Sequence, residues 1–410
     1  MAVDTLLERI TDYANRPDPY PLYAELREAG VARQTDGSYL VGTYYDIVAL
    51  FHDPRLSSDP RDRATPYRGL PEESEEEGRL QPFIRLNDPE HRRLRTLATR
   101  PFGPPHSPGR IDGMRGEIAR ITGELVASIQ GRERIDIVDD FAYPLPVTVI
   151  CRLLGVPRED EPVFHEWSAT IIDSVDIRPG EDPSERQRAG LQARTEMGRY
   201  LVDLAEQRRG RPSDDMLSAF VNDPDPAGRL TREELAATAA LLLVAGHETT
   251  VNLITNGVLT LLRHPDQLDR LRREPGLLPG TVEELLRYEP PVHMLQRAPL
   301  AHVDVAGTTI PQGVPVVLVL ASGNRDPRRF QEPDRFDPAR PDNQHLGFGS
   351  GIHLCYGAPL ARIEGQIALG ELLPHLSNAT LVEDPPYRQS PILRGPRHLS
   401  IDLPASLSAR

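Results

Sequence analysis

Apolar positions recur at helical spacing from Arg110 to Arg273, and a different pattern takes over at both ends of the chain. Tyr20–Ala29 reads as a helix, and SYLVGTYYD after it as a short strand. After Pro299 the spacing becomes that of strands and turns, through VDVAGTTI, PQGVPVVLVLAS and GNRDPRRFQEPDRFDPAR. A last helix is expected from about Pro359 to Leu376, directly behind Cys355. The β-rich parts fall near 35–60, 300–322 and 380–403, and the helical core covers 110–290 and 359–376. This order predicts a mainly α chain with small β-sheets, of the α+β class. With no Gly/Ser tract and no repeat period between the parts, a single domain over residues 1–410 is expected.

The clearest element opens at Thr231-Arg-Glu-Glu234, a capping-box spelling, and runs to Arg263, where His264-Pro265 stops it. At ~1.5 Å per residue such a helix is about 50 Å long. Its interior breaks local rules at AGHETT, residues 245–250: Gly246 weakens a helix, and Thr249 and Thr250 can bond back to carbonyls. Small residues there serve close helix packing equally well. The charged, proline-bearing stretch Ser57–Arg79, with PEESEEEG, reads as a solvated loop long enough to act as a lid.

Composition narrows the class. A net charge of -14 argues against nucleic acid as the main ligand. The start, MAVDTLLERITDYANRPDPYPLY, lacks the basic-then-apolar order of a signal peptide, and the longest apolar runs fall far short of the ~20 residues of a membrane span. The two cysteines, Cys151 and Cys355, form neither a disulfide framework nor a zinc-type pair. A cytoplasmic protein without membrane attachment is expected.

Cys355 sits in HLGFGSGIHLCYGAPLAR, between a glycine turn and a helix. A buried structural cysteine, a nucleophile and a thiolate metal ligand all compete as readings. As a nucleophile it would need a base, and His353, two residues away, aims elsewhere in either a strand or a helix. The glycines do not spell a dinucleotide fingerprint, and there is no CxxCH for covalent haem attachment. A helix N-terminus lowers a thiol pKa, and Gly349, Gly351 and Gly357 let backbone approach a flat cofactor. A lone thiolate leaves the other metal positions to a macrocycle, which points to haem.

Phe348-Gly-Ser-Gly-Ile-His-Leu-Cys355-Tyr-Gly357 resembles the haem-ligand signature of the cytochrome P450 family, FxxGxxxCxG. Further landmarks follow in the family's order. Ala245-Gly-His-Glu248-Thr249-Thr250 is similar to its oxygen-activation motif, and Glu284-Leu-Leu-Arg287 to its ExxR. Pro333-Asp-Arg335-Phe336 resembles the segment that supplies a second arginine to that pair. Asp88-Pro-Glu-His91-Arg-Arg-Leu-Arg95 looks like the element whose side chains hold a haem propionate, and Arg297 stands where another propionate arginine is expected.

The resemblance implies the P450 fold, a triangular helical domain with a long helix over haem b. Cys355 is then the axial iron ligand; His91, Arg95, Arg297 and His353 are propionate donors; Phe348, Gly349, Gly357 and Ala245 border the cofactor. Glu284, Arg287 and Arg335 form a buried structural trio. Glu248 and Thr249 become the catalytic pair, a carboxylate and a hydroxyl that deliver protons to reduced dioxygen. Matching positions place Phe83 and Ile84 in the substrate wall, with Leu241 and Val244 from the long helix. Val292, His293, Met294 and Leu295 follow from the segment after ExxR, and Ile392 and Leu393 from the C-terminal hairpin. His293 is the one polar candidate facing substrate. Electrons are expected from a separate ferredoxin and a reductase using NADPH or NADH, with Arg92 or Arg93 as docking candidates, and the chain as a monomer. The implied activity is hydroxylation or epoxidation of a bulky lipophilic molecule: a polyketide or macrolide, a terpenoid or a steroid. Oxidative ring formation or coupling is the alternative, as is a peroxide-driven peroxygenase, against which Glu248 and Thr249 argue. A non-catalytic relative would lack Cys355 or the haem contacts.

Overall fold

The computed structural model describes residues 5–64, 81–102, 109–175, 182 and 184–403. The glutamate-bearing part of the expected lid, within 65–80, lies outside the described residues. The chain divides into two compact units. One comprises residues 1–68, 126–142 and 252–410, the other 69–125 and 143–251.

The first unit carries the sheets. Its five-stranded sheet runs Val31–Arg33, Tyr39–Val41, Val316–Leu318, Leu295–Pro299, Leu56–Ser57. Only the Tyr39–Val41/Val316–Leu318 pairing is parallel, with Leu40 opposite Val317. Alternation along these strands feeds two apolar clusters. Val41, Val316 and Leu318 join Ile47, Phe51 and Phe330, whereas Leu40 and Val317 join Tyr23, Leu26 and Ile10. VDVAGTTI forms the expected hairpin, Val303–Val305 against Thr308–Ile310, turning through Ala306 and Gly307, both at positive φ (47° and 76°). Arg134–Asp136, Ser400–Asp402 and Thr380–Leu381 make a third sheet.

The SYLVGTYYD expectation needs correction at its end. The strand stops at Val41, and Tyr44–His52 is a helix whose first N–H, from Tyr44, is taken by Asp326 Oδ2 at 2.9 Å. The helix Tyr20–Ala29 is found with the expected bounds. The final helix is Ala358–Leu372, with Pro359 in its first turn where its missing N–H costs nothing, and a 3₁₀ turn at Leu373–His375 completes it.

The second unit is helical. Pro144–Leu154 is almost wholly buried, and Glu161–Val175 packs along Ser184–Gln207 through Phe164, Trp167 and Tyr200. Gly190 permits that approach, since a Cβ there would lie 2.1 Å from Ser174 Oγ. The long helix is Arg232–Arg263, and the chain passes from the second unit into the first along it. Its capping box forms as spelled: Glu234 N–H donates to Thr231 Oγ1 at 3.2 Å, and Thr231 N–H to Glu234 Oε2 at 2.9 Å. By length and hydropathy alone the segment Pro226–Arg263 could cross a membrane, but 67% of its most apolar window is buried in the protein, as in a core helix.

Candidate functional site

In the first unit, Gly349 and Gly351 take φ of 71° and 70°, which a side chain would strain. A Cβ at Gly351 would also lie 2.3 Å from the Phe51 carbonyl oxygen. The turn closes when Cys355 N–H donates to Phe348 O at 3.0 Å, setting the cysteine just ahead of the Ala358–Leu372 helix. Its thiol is exposed, whereas Cys151 is buried and burial pushes its pKa far up. The structure thus separates the inert cysteine from the accessible one. A Cβ at Gly357 would lie 3.7 Å from the Cys355 sulfur, in van der Waals contact with it. His353 Nε2 lies 2.9 Å from Ser58 Oγ.

Arg297 gives the most direct test of cofactor fit. Its guanidinium is 9% exposed, stacks 5.6 Å over Phe51, and donates to the backbone oxygen of Gln296 at 2.8 Å. No described carboxylate pairs with it, and burial, with Arg63 beside it, pushes its pKa down to about 10. A buried cation without a counter-ion is costly, so an anionic group on a bound molecule is the partner this site requires. A haem propionate has that chemistry.

Below the turn, Glu284 and Arg287 are both fully buried and joined by two bonds of 2.8 Å, so the pair is no surface ornament. The third member is not Arg335. That side chain is 57% exposed and pairs with Glu332, while its carbonyl turns inward to accept from Arg287 Nη2 at 3.1 Å. The side chain that reaches Glu284 belongs to Arg340, whose Nε lies 3.2 and 3.1 Å from the two carboxylate oxygens. Asp337 N–H and Asn343 Nδ2 complete the shell, at 2.9 and 3.1 Å.

Glu283, adjacent to the ExxR glutamate, went unnoticed in the sequence. Arg362 clasps it with Nε and Nη2 at 2.7 and 2.9 Å, and His345 Nε2 donates to it at 3.2 Å. Against burial, which raises it, these partners hold the Glu283 pKa at about 2, below its ordinary 4.5. A depressed carboxyl pKa contributes stability that is present above the ordinary value and lost as pH falls through the depressed one. The gap in unfolding midpoint between wild type and Glu283→Gln should therefore shrink as pH drops from 4.5 toward 2. A gap that stays constant over that window would contradict the assignment.

In the second unit, His91 and Arg95 lie one turn apart on the helix Glu90–Thr99. His91 is 2% exposed, and burial pushes its pKa below the ordinary value despite Asp88, 3.4 Å from Nδ1. Phe83 is buried with its ring 6.3 Å from that of His91, and Ile84 is exposed. Arg92 and Arg93 are exposed, and both are ion-paired, to Asp88 and Glu234 respectively.

On the long helix, Thr249 Oγ1 donates to Ala245 O at 2.7 Å, the back-bond expected of it. Leu241, Val244, Ala245 and Thr249 share one face and are less covered than Leu242, Leu243, His247, Glu248 and Thr250 around them. His247 is fully buried, edge-on to Tyr143 with ring centres 4.5 Å apart.

Two wall positions of the first unit need correction. His293 does not face outward or toward a ligand. It is fully buried, with Nδ1 2.8 Å from the Tyr23 hydroxyl and its N–H bonded to Ile392 O. Met294 belongs to the apolar cluster of Tyr23, Leu26 and Val317. Val292, Leu295, Ile392 and Leu393 are half-buried, and Val292 bridges to Leu393.

A family model of cytochrome P450 matches residues 65–402. The chain belongs to the cytochrome P450 family. It is 42% identical to the cytochrome P450 monooxygenase PikC of Streptomyces venezuelae over 94% of this chain and 91% of that protein. It is 39% identical to the 6-deoxyerythronolide B hydroxylase of Saccharopolyspora erythraea, over 94% and 96%. Among solved structures, the Bacillus megaterium P450 CYP109E1 in complex with corticosterone superposes with a TM-score of 0.82 at 33% identity, over 95% of this chain and 99% of that one. The chain has the P450 fold and is a P450 monooxygenase that uses haem b and dioxygen, drawing electrons from NAD(P)H through redox partners.

Proposed function

We propose that this P450 hydroxylates or epoxidises a bulky lipophilic molecule, a macrolide or other polyketide, a terpenoid or a steroid, with electrons from a separate ferredoxin and its reductase. The observation that carries the reading is Cys355, exposed and directly ahead of a helix, in a turn held by Gly349 and Gly351 at positive φ. The relatives named for 6-deoxyerythronolide B and solved with corticosterone support the substrate class. We take the chain as one catalytic domain over 1–410, monomeric and cytoplasmic.

In this reading Cys355 would ligate iron, and Arg297, His353, His91 and Arg95 would hold the propionates. Phe348, Gly349, Gly357 and Ala245 border the porphyrin. When bound, haem would supply reductive activation of dioxygen, two electrons and two protons being consumed as one oxygen atom goes to the substrate and the other leaves as water. Thr249 spends its hydroxyl proton on Ala245 O, so its lone pairs are left to accept a hydrogen bond from water at the reaction centre. Glu248, on the next residue, relays protons toward that position. Leu241 and Val244, with Phe83 and Ile84, in the second unit, and Val292, Leu295, Ile392 and Leu393 in the first, are the apolar side chains we assign to substrate contact.

Thr249→Ala should retain haem and substrate binding yet lose coupling. Product formed per NAD(P)H oxidised should fall roughly tenfold or more, since positioned proton transfer contributes about 10²–10⁴. Unchanged coupling would contradict the role. Spectral titration with a macrolactone and a steroid, followed by mass analysis for one added oxygen atom, tests the substrate class. A product that has lost hydrogen without gaining oxygen would favour oxidative ring formation.

A further inference from the structure

Glu283 has no assigned part in the reaction, yet it ties both flanks of the cysteine turn together. Upstream, His345 donates to it from Nε2, while His345 Nδ1 accepts the Gly347 N–H at 3.0 Å, fixing the imidazole tautomer. Downstream, Arg362, on the helix that follows Cys355, clasps it with two nitrogens. The ring of Phe348 stacks with both. The Arg362 guanidinium stands 4.7 Å over its centre, and the His345 ring lies 5.7 Å away. Phe348 in turn takes the Cys355 N–H on its carbonyl oxygen at 3.0 Å.

The arrangement leaves a guanidinium beside the turn with its charge balanced by one carboxylate. Arg362 is also close enough to Cys355 for the thiolate to favour its charged form. Charges and hydrogen bonds around a haem thiolate set how strongly the sulfur donates to iron and where the reduction potential lies.

We propose that Glu283 and Arg362 are positioning residues that tune the Cys355 thiolate, with Arg362 as the fixed positive charge and Glu283 as its anchor and counter-charge. The inference rests on Cys355 as the iron ligand. Glu283→Gln removes the counter-charge and leaves Arg362 uncompensated, which favours the state holding one more electron. Arg362→Gln does the reverse and leaves the carboxylate unbalanced.

The test is spectroelectrochemical titration of the haem-loaded protein. Glu283→Gln should shift the reduction potential positive, Arg362→Gln should shift it negative, and the double variant should fall between them. Arg362→Lys, which keeps the charge, should move it less than Arg362→Gln. A purely structural role would move both single variants in one direction. Shifts of the same sign, or no shift in either residue's variant, overturn the proposal. Should Glu283→Gln fail to load haem, the Arg362→Gln and Arg362→Lys comparison decides alone: equal shifts overturn the proposal, and a larger negative shift for Gln supports it. The thiolate-type spectrum of the wild type tests the ligand assignment separately.

Discussion

Arg340→Ala should cost the protein most of its haem-loaded, soluble yield, while Arg335→Ala stays near wild type. Glu284 is fully buried, and its carboxylate is satisfied by Arg287, Arg340, Asp337 N–H and Asn343. Removing Arg340 takes away one of the two arginines that bind both oxygens, and Arg340 also ties down the backbone oxygens of Gln331, Glu332 and Arg335. Breaking a buried ion pair from one side typically costs about 3–5 kcal/mol, a large fraction of what holds a domain folded. Arg335 offers solvent only an exposed pair with Glu332, and such pairs are worth ~0–1 kcal/mol. Its inward contribution is a carbonyl, which alanine retains. Chemical denaturation midpoints and the haem-to-protein ratio of the two variants check this. Equal losses in both would contradict the assignment of Arg340 over Arg335.

Cys355→Ser should abolish monooxygenation and the thiolate signature together. A serine hydroxyl in the same turn stays protonated near neutral pH and donates far less electron density to iron than a thiolate does. Cys151 cannot substitute, being buried with its thiol held protonated. The turn itself should survive, because its closing bond comes from the backbone N–H of residue 355 and its shape from Gly349 and Gly351. Near-native melting with loss of the signature is thus the expected combination, measured by calorimetry and absorption on one preparation. Retained turnover with a thiolate-type spectrum would remove Cys355 from the mechanism.

What the sequence discloses depends on whether the information is local. The capping box at Thr231, the stop at His264-Pro265, the helix Tyr20–Ala29 and the back-bond of Thr249 each need only neighbouring residues, and each forms as spelled. The haem-ligand turn is legible for the same reason, since glycines at positive φ and a helix start lie within one stretch. Long-range partners are not. His293 reads as a polar residue in an apolar wall, but Tyr23, distant in sequence, draws it into the core. Arg325, Arg328, Arg329, Arg335 and Arg340 crowd one segment, and only the path of the chain chooses which reaches Glu284. Glu283 had a faint signal, a second carboxylate beside the ExxR glutamate, but its partners are the distant His345 and Arg362. TYYD fell to helix because the Asp326 carboxylate receives the first N–H.

Ligation of haem iron by the Cys355 thiolate is tested most directly by the difference spectrum of the chemically reduced, carbon monoxide-saturated wild-type protein. A long-wavelength Soret band, the one for which the family is named, is the expected result. A fully reduced, folded protein showing only the shorter-wavelength band of haem without thiolate ligation would contradict it.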